Sequence, residues 1–137
     1  MKNILTIVFL LIIQNGYAQH GQDTIPSKVV SKILLEQILD RKDLKNNIVR
    51  IETVTFAPNY SSPKHTHPCP LFVYVIEGEL LSEFEGVKKI YKAGDSFYEK
   101  ANGVHSITQN ISSINSAKIL VIYLMKEDMN TFKPFTH

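Results

Sequence analysis

The stretch PKHTHPCPLFVYVIEGEL, residues 63–80, contains the pattern that decides the fold. His65 and His67 stand one residue apart in it, before a run of branched and aromatic residues that ends at Gly78. Successive side chains of a strand point to opposite faces, so an extended backbone lets both imidazoles reach one ion together. The same alternation divides the run that follows into an inner set, Leu71, Val73 and Val75, and an outer set, Phe72, Tyr74 and Ile76.

Both of these sets are large and mostly apolar. A barrel strand that is apolar on its outer face needs cover on that side as well, and a second subunit is the usual source of it. We therefore expect a homodimer.

Segments rich in branched and aromatic residues recur about every ten residues and are separated by turn signals. They lie at residues 48–56, 71–76, 79–84, 88–92, 96–99, 104–109 and 118–125. This spacing indicates a sandwich or barrel, with a hairpin around Glu77 and Gly78 and a central, doubly covered strand at 118–125. Residues 24–47 fit either a helix face or an early strand. The predicted fold class is all-β, with one short helix before Asn47 as an option.

The chain begins with Lys2 and then an apolar run at residues 4–13, as a secretory signal peptide does. Small residues flank Tyr17 before Ala18, so we expect cleavage after Ala18 and a signal peptide of residues 1–18. An uncleaved anchor or a buried N-terminal helix remains the alternative. The mature chain, residues 19–137, has 137 − 18 = 119 residues and suits one domain. We expect an exported protein, periplasmic or secreted, without a membrane segment after cleavage.

The charge pattern argues against a nucleic-acid-binding protein, and the cysteine content argues against a fold held by intramolecular disulfides. Without Lys2, 14 basic residues face 13 acidic ones, and the charges are spread along the chain, which argues against nucleic acid as a partner. Cys69 is the single cysteine and cannot form an intramolecular disulfide. Stability must therefore come from the core or from a metal.

Two segments, HTHPCPLFVYVIEGEL (65–80) and AGDSFYEKANGVHSITQN (93–110), resemble the two motifs of the cupin superfamily. On this resemblance His65 and His67 match the paired ligands of the first motif, Gly78 its closing glycine, Gly94 the opening glycine of the second motif, and His105 the third histidine ligand. The resemblance covers Pro58 to Asn110 and implies a jelly-roll β-barrel of the cupin type. It also implies a divalent transition metal, Fe, Zn, Mn, Ni or Cu, held by His65, His67 and His105.

The sequence departs from the family pattern at two places. The glutamate of the first motif is replaced by Leu71, which is separated from Gly78 by six residues, so its carboxylate ligand is absent. The Pro-x-Gly element of the second motif is replaced by residues 100–102, where Asn102 can still adopt a left-handed turn. Three neutral imidazoles would leave the ion its full double charge, which favours an anionic or chelating ligand.

Three other groups near the motifs are open to interpretation. Cys69 shares the parity of His67 and could contact the site, but a small buried thiol in a proline-flanked turn is the favoured interpretation. Glu99 could act as an acid or base, and we interpret it as a solvated carboxylate. His20 and His137 are interpreted as solvated ends of the mature chain.

Three functions are compatible with these sequence features. The first is an exported metal-dependent enzyme, of the dioxygenase, decarboxylase or isomerase type that the resemblance implies, acting on a small oxygen-rich or aromatic molecule with no catalytic acid or base assigned. The second is a barrel that binds a small ligand without turnover, and the third is a structural domain whose histidines are incidental. The fold alone does not choose among them.

Overall fold

A computed structural model describes residues 28–40 and 42–136 of the chain. The predicted signal peptide, His20 and His137 lie outside these residues. These described residues contain ten strands: β1 (Val29–Ile38), β2 (Asn47–Phe56), β3 (His65–Thr66), β4 (Leu71–Glu77), β5 (Glu79–Phe84), β6 (Val87–Lys92), β7 (Ser96–Glu99), β8 (Val104–Asn110), β9 (Ala117–Lys126) and β10 (Lys133–Pro134). Among the described residues, no helix is long and apolar enough to cross a membrane.

The strands form two five-stranded antiparallel sheets, in the orders β1-β2-β9-β4-β7 and β10-β3-β8-β5-β6. This arrangement confirms the predicted all-β jelly roll. Inward-facing side chains of both sheets meet in one apolar core. The predicted alternation in β4 is also confirmed: Leu71, Val73 and Val75 are buried, whereas Phe72, Tyr74 and Ile76 are exposed.

Most of the described part of residues 24–47 is the strand β1, so the optional helix is wrong there. β1 pairs with β2 from Val29 opposite Phe56 to Ile38 opposite Ile48. A three-residue 3-10 turn at Lys42–Leu44 is the only helical element in the described part of the segment. β1 lies at the edge of its sheet and is largely exposed on both faces. Burial therefore does not impose on its sequence the alternation of apolar and polar residues that marks a half-buried strand.

The predicted hairpin around Gly78 is also wrong, because β4 and β5 belong to different sheets. Gly78 has a φ of +78°, and a Cβ there would lie 2.9 Å from Ala117. The glycine therefore makes a tight corner where the chain passes from one sheet to the other. The true hairpin joins β5 to β6 through Glu85 and Gly86, which both have positive φ as a type I′ turn requires.

Two further details correct the expected strands. The histidine pair and the run after it are not one strand, because Pro68 and Pro70 lack the amide hydrogens that a continuous ladder needs. β3 and β4 accordingly lie in opposite sheets. β9 is central in its sheet, as expected, but only one of its faces is fully buried, and Leu124 on the other face is exposed.

Candidate metal centre

The fold brings the histidines of the two motifs together across the β3–β8 pair. His65 lies directly opposite His105 in the register of these strands, and their rings stack 4.9 Å apart, 8° from parallel. His67 follows β3, and its ring stands nearly perpendicular to both, 4.9 Å from the ring of His65 and 5.6 Å from that of His105. Three imidazoles distant in sequence therefore share one region of the interior.

Each of these imidazoles has its Nδ1 atom engaged by a neighbouring oxygen. The partners are the carbonyl oxygens of Pro63 and Thr131 and the hydroxyl of Thr108, at 2.8, 2.5 and 3.1 Å from His65, His67 and His105 respectively. A carbonyl can only accept, so Nδ1 of the first two rings carries the hydrogen, and the hydroxyl can accept in the same way. In neutral His65 and His67 this places the lone pair on Nε2, whereas the hydroxyl of Thr108 can also donate, so it does not fix the tautomer of His105. Metal-binding histidines are usually oriented by such a bond from their other nitrogen.

Glu99, at the end of β7, is the site residue that sequence reasoning missed. Its carboxylate is 4% exposed, so the interpretation as a solvated group is wrong. One ligand atom from each of His67, Glu99 and His105 lies within 4.8 Å of the other two. Carboxylate and imidazole together suit Zn, Fe or Mn.

The register explains why Glu99 reaches this place. It pairs with Leu71, the residue at the family's glutamate position, across the β4–β7 ladder. The carboxylate absent from one strand is thus supplied by the next strand. The alternation of β7 was the available signal, since an outward Tyr98, which is exposed, requires an inward Glu99.

The contact between His105 and Glu99 brings two potential metal ligands close together. Nε2 of His105 and Oε2 of Glu99 are 2.7 Å apart, yet the buried nitrogen makes no hydrogen bond with any described residue. A proton on Nε2 or an ion between the two atoms would stabilise this separation. Two ligands at right angles, each about 2.1 Å from one ion, would be about 3 Å apart. The separation of these two atoms therefore fits a shared metal ion.

His65 lies beside the His67–Glu99–His105 group and outside it. Its ring stacks between those of His105 and Phe132, at 4.9 and 4.7 Å. Burial, opposed by the Pro63 hydrogen bond, lowers the pKa of His65 to about 4, and burial also lowers the pKa of His67. Both rings are therefore neutral near pH 7, as metal ligands must be. The ligand role of His65 remains a prediction.

The histidines open into a cavity of about 330 Å³ between the two sheets. Its walls are mostly apolar, with a second buried carboxylate, Glu52, whose Oε1 accepts a hydrogen bond of 2.9 Å from the hydroxyl of Tyr123. No described lysine or arginine lines the cavity. Burying two carboxylates in an apolar cavity is costly, and a divalent cation would offset the charge of Glu52 and Glu99. Glu99 would offset part of the double charge that three neutral imidazoles alone would leave on an ion.

Cys69 takes no part in this cavity. Its side chain is packed in the apolar core, and burial raises the pKa of its thiol. Asn102 has a φ of +60°, which confirms the predicted left-handed turn. Its backbone N–H donates a hydrogen bond to the carbonyl oxygen of His67. The altered loop therefore still supports the backbone that carries this histidine.

Comparisons with known proteins agree with the fold. Solved structures similar to this chain include a cupin superfamily protein from Desulfitobacterium hafniense DCB-2, with 21% identity and a TM-score of 0.58 over 73% of this chain and 80% of the other. KdgF from Halomonas sp. has 19% identity and a TM-score of 0.58 over 77% and 86% of the two chains. A cupin described as RmlC-like, from Shewanella frigidimarina NCIMB 400, has 18% identity and a TM-score of 0.56 over 77% and 83%. At these identities the likeness concerns the fold alone.

None of the curated proteins compared with the chain matches it. The family model described as "Cupin domain" matches residues 52–123, which are 72 of the 137 residues. Since this match covers more than half of the chain, the chain belongs to the cupin domain family.

Proposed function

We propose that this cupin is a metal-dependent enzyme that acts on a small molecule in the cavity between its sheets. A divalent transition metal is held by His67, Glu99 and His105, with His65 as the further ligand that the first motif implies. The observation that carries this proposal is the contact between Nε2 of His105 and Oε2 of Glu99, which are buried 2.7 Å apart without a hydrogen bond.

The chain's own residues perform three tasks at this site. The Nδ1 bonds to Pro63 and Thr131 hold two rings with Nε2 free for the ion. Glu99 supplies a negative charge that reduces the net charge of the bound ion. The apolar cavity wall limits water, which strengthens polar interactions with a bound molecule.

A bound divalent ion supplies a Lewis acid and, for a redox-active metal, a site for dioxygen. Dioxygenase, decarboxylase or isomerase chemistry on a small oxygen-rich or aromatic molecule is the range proposed here.

The metal site is tested by the metal content of the mature protein and of a Glu99→Gln variant. Glutamine keeps the size of the side chain but loses the charge, so we expect the wild type to bind about one equivalent and the variant to bind it at least about tenfold more weakly. Glu127→Gln changes an exposed glutamate and is the matched control. A variant at residue 99 that keeps the wild-type metal affinity would contradict the proposal.

A second candidate is a cupin that binds a small ligand without turnover. It is favoured by Leu71, which replaces a polar group of the family pattern with an apolar wall. Candidate substrates incubated under air with the Fe, Mn, Zn, Ni and Cu forms distinguish the two functions. Tight binding with no product in any form favours the binding module.

A homodimer remains part of the proposal. Phe72, Tyr74 and Ile76 expose an apolar strip on the outer face of their sheet, and Tyr98 extends it, with its ring 5.3 Å from that of Phe72. A second copy covering this strip would bury it. Light scattering should give a dimeric mass for the wild type and a monomeric mass for Phe72→Lys. A monomeric wild type would contradict this part of the proposal.

Export with cleavage after Ala18 is proposed as well. Mass spectrometry of the protein recovered from the host's periplasm or medium should find Gln19 as the first residue. A chain recovered from the cytoplasm with its N-terminal segment intact would contradict export.

A further inference from the structure

Glu52 provides an acceptor in the cavity that the metal centre does not use. It lies on β2, is 7% exposed, and does not belong to the His67–Glu99–His105 group. Its one hydrogen bond to a described residue is the bond that Oε1 accepts from Tyr123. Oε2 therefore has no partner in the described part of the chain. This oxygen can accept a hydrogen bond from a molecule in the cavity that Glu52 lines.

Tyr123 fixes Glu52 as an acceptor. Burial and the nearby Glu52 raise the pKa of Tyr123, so its hydroxyl keeps the proton that it donates. The bond also holds the carboxylate in one orientation at the cavity wall. Glu52 can consequently offer Oε2 to a bound molecule without a rearrangement of the strand.

The formal charges of the cavity restrict what that molecule can be. Glu52 and Glu99 contribute two negative charges, and a divalent ion would contribute two positive ones. No described lysine or arginine lines the cavity to receive an anion. A negatively charged ligand would therefore leave a net negative charge in an apolar enclosure, where charges are poorly solvated.

A second unpartnered group lies in the same cavity. The hydroxyl oxygen of Ser62 is buried and makes no hydrogen bond with a described residue. The rest of the lining is dominated by aliphatic and aromatic side chains, among them Val54, Phe97 and Val121. The cavity thus combines an apolar body with few polar contacts, the usual pattern of small-molecule sites.

We propose that the ligand of this cavity is a small, uncharged, largely apolar molecule with a hydroxyl or amino donor, and that Glu52 recognises this donor through Oε2. The proposal rests on the proposed metal centre, because the charge balance includes the ion. It differs from the expectation drawn from three histidines alone, which favoured an anion. Glu52 is a recognition residue here, and Tyr123 is the residue that positions it.

The test uses the mature, metal-loaded protein and three probes of similar size. Benzyl alcohol is uncharged with a donor, benzyl methyl ether is uncharged without one, and benzoate is an anion. Binding is measured by calorimetry and, for the cobalt form, by the change in its visible spectrum. We expect benzyl alcohol to bind at least about tenfold more tightly than benzoate, and more tightly than the ether, because Glu52 repels the anion and needs a donor.

Glu52→Gln examines the residue directly. The amide oxygen still accepts from Tyr123, while the amide nitrogen presents a donor in place of Oε2. With the variant loaded with one equivalent of metal, we expect a preference shifted by at least about tenfold toward benzoate. Glu127→Gln, an exposed change, should leave the preference unaltered.

Each outcome bears on a different claim. Benzoate binding as tightly as benzyl alcohol to the metal-loaded wild type overturns the inference and leaves the metal centre standing. The same holds if benzyl alcohol does not bind at millimolar concentration, or if folded Glu52→Gln keeps the wild-type preference. A wild type that takes up no metal overturns the proposed function, and the inference with it.

Discussion

Acid should lower the free energy of unfolding of the metal-free protein, because His65 is buried as a neutral imidazole. This imidazole is 5% exposed, and burial lowers its pKa from an ordinary value of about 6.5 to about 4. As pH falls below about 6.5, the unfolded chain binds a proton at this ring and the folded chain does not. The unfolded state therefore binds more protons in this range, so the free energy of unfolding falls as pH falls.

The size of this effect follows from the shift of the pKa. Lowering the pKa from about 6.5 to about 4, at about 1.4 kcal/mol for each pH unit, corresponds to about 3 kcal/mol of unfolding free energy lost between pH 7 and pH 4. Below the folded pKa both states are protonated and the loss ends. His67, whose pKa is lowered in the same direction, adds to the loss.

Urea unfolding in the presence of a chelator, repeated across this pH range, measures the loss. His65→Asn is the comparison, because its amide can still donate to the carbonyl of Pro63 but does not titrate. Groups common to both proteins, including Glu52 and Glu99, cancel in the difference. The wild type should lose about 3 kcal/mol more than the variant. Parallel pH profiles for the two proteins would refute the reasoning.

Three further substitutions test the fold around the site. Gly78→Ala should lower the free energy of unfolding by about 2 to 4 kcal/mol, because a Cβ there would lie 2.9 Å from Ala117. The control Gly94→Ala has a similar positive φ but lies in open space, and it should cost about 1 to 2 kcal/mol. Equal losses for the two variants would exclude the steric contribution of Ala117. Cys69→Ser should lower the free energy of unfolding by about 1 to 3 kcal/mol, because a hydroxyl replaces a thiol in the core. Its metal content should equal that of the wild type, and a loss of metal would place this residue at the site. Asn110→Ala should lower the free energy of unfolding by at least about 3 kcal/mol, measured with heat or urea. The buried side-chain amide of Asn110 donates to three carbonyl oxygens and accepts from the backbone N–H of Ser112. A loss below about 1 kcal/mol would show that these bonds contribute little.

Local patterns were sufficient for the strands that have one buried face. The alternation of β4 predicts which of its side chains are inside because only one face of the strand meets the core. The exposed edge strand β1 carries no such constraint, so its sequence fitted a helix equally well. Its conformation is set by pairing with β2, which is a tertiary property.

The corner at Gly78 shows a second limit of local patterns. A glycine between two β segments is compatible with a hairpin and with a crossing to the opposite sheet. What distinguishes them is the close approach of Ala117, a residue far along the chain. The sequence around Gly78 carries no sign of that neighbour.

The metal centre also combines residues that local patterns predict with a residue that only strand pairing reveals. The spacing of His65 and His67 and the second motif around His105 are local features, and they identified three imidazoles that do lie together. Glu99 was missed because its role depends on its register opposite Leu71. A ligand supplied by the neighbouring strand is visible only once the strands are paired.

The most direct test of the metal centre is a crystal structure of the metal-loaded protein with anomalous diffraction at the metal edge. We predict one strong anomalous peak about 2.0 to 2.2 Å from Nε2 of His67, Nε2 of His105 and a carboxylate oxygen of Glu99. A peak elsewhere, or a fully loaded protein in which Glu99 lies away from the ion, would contradict this assignment.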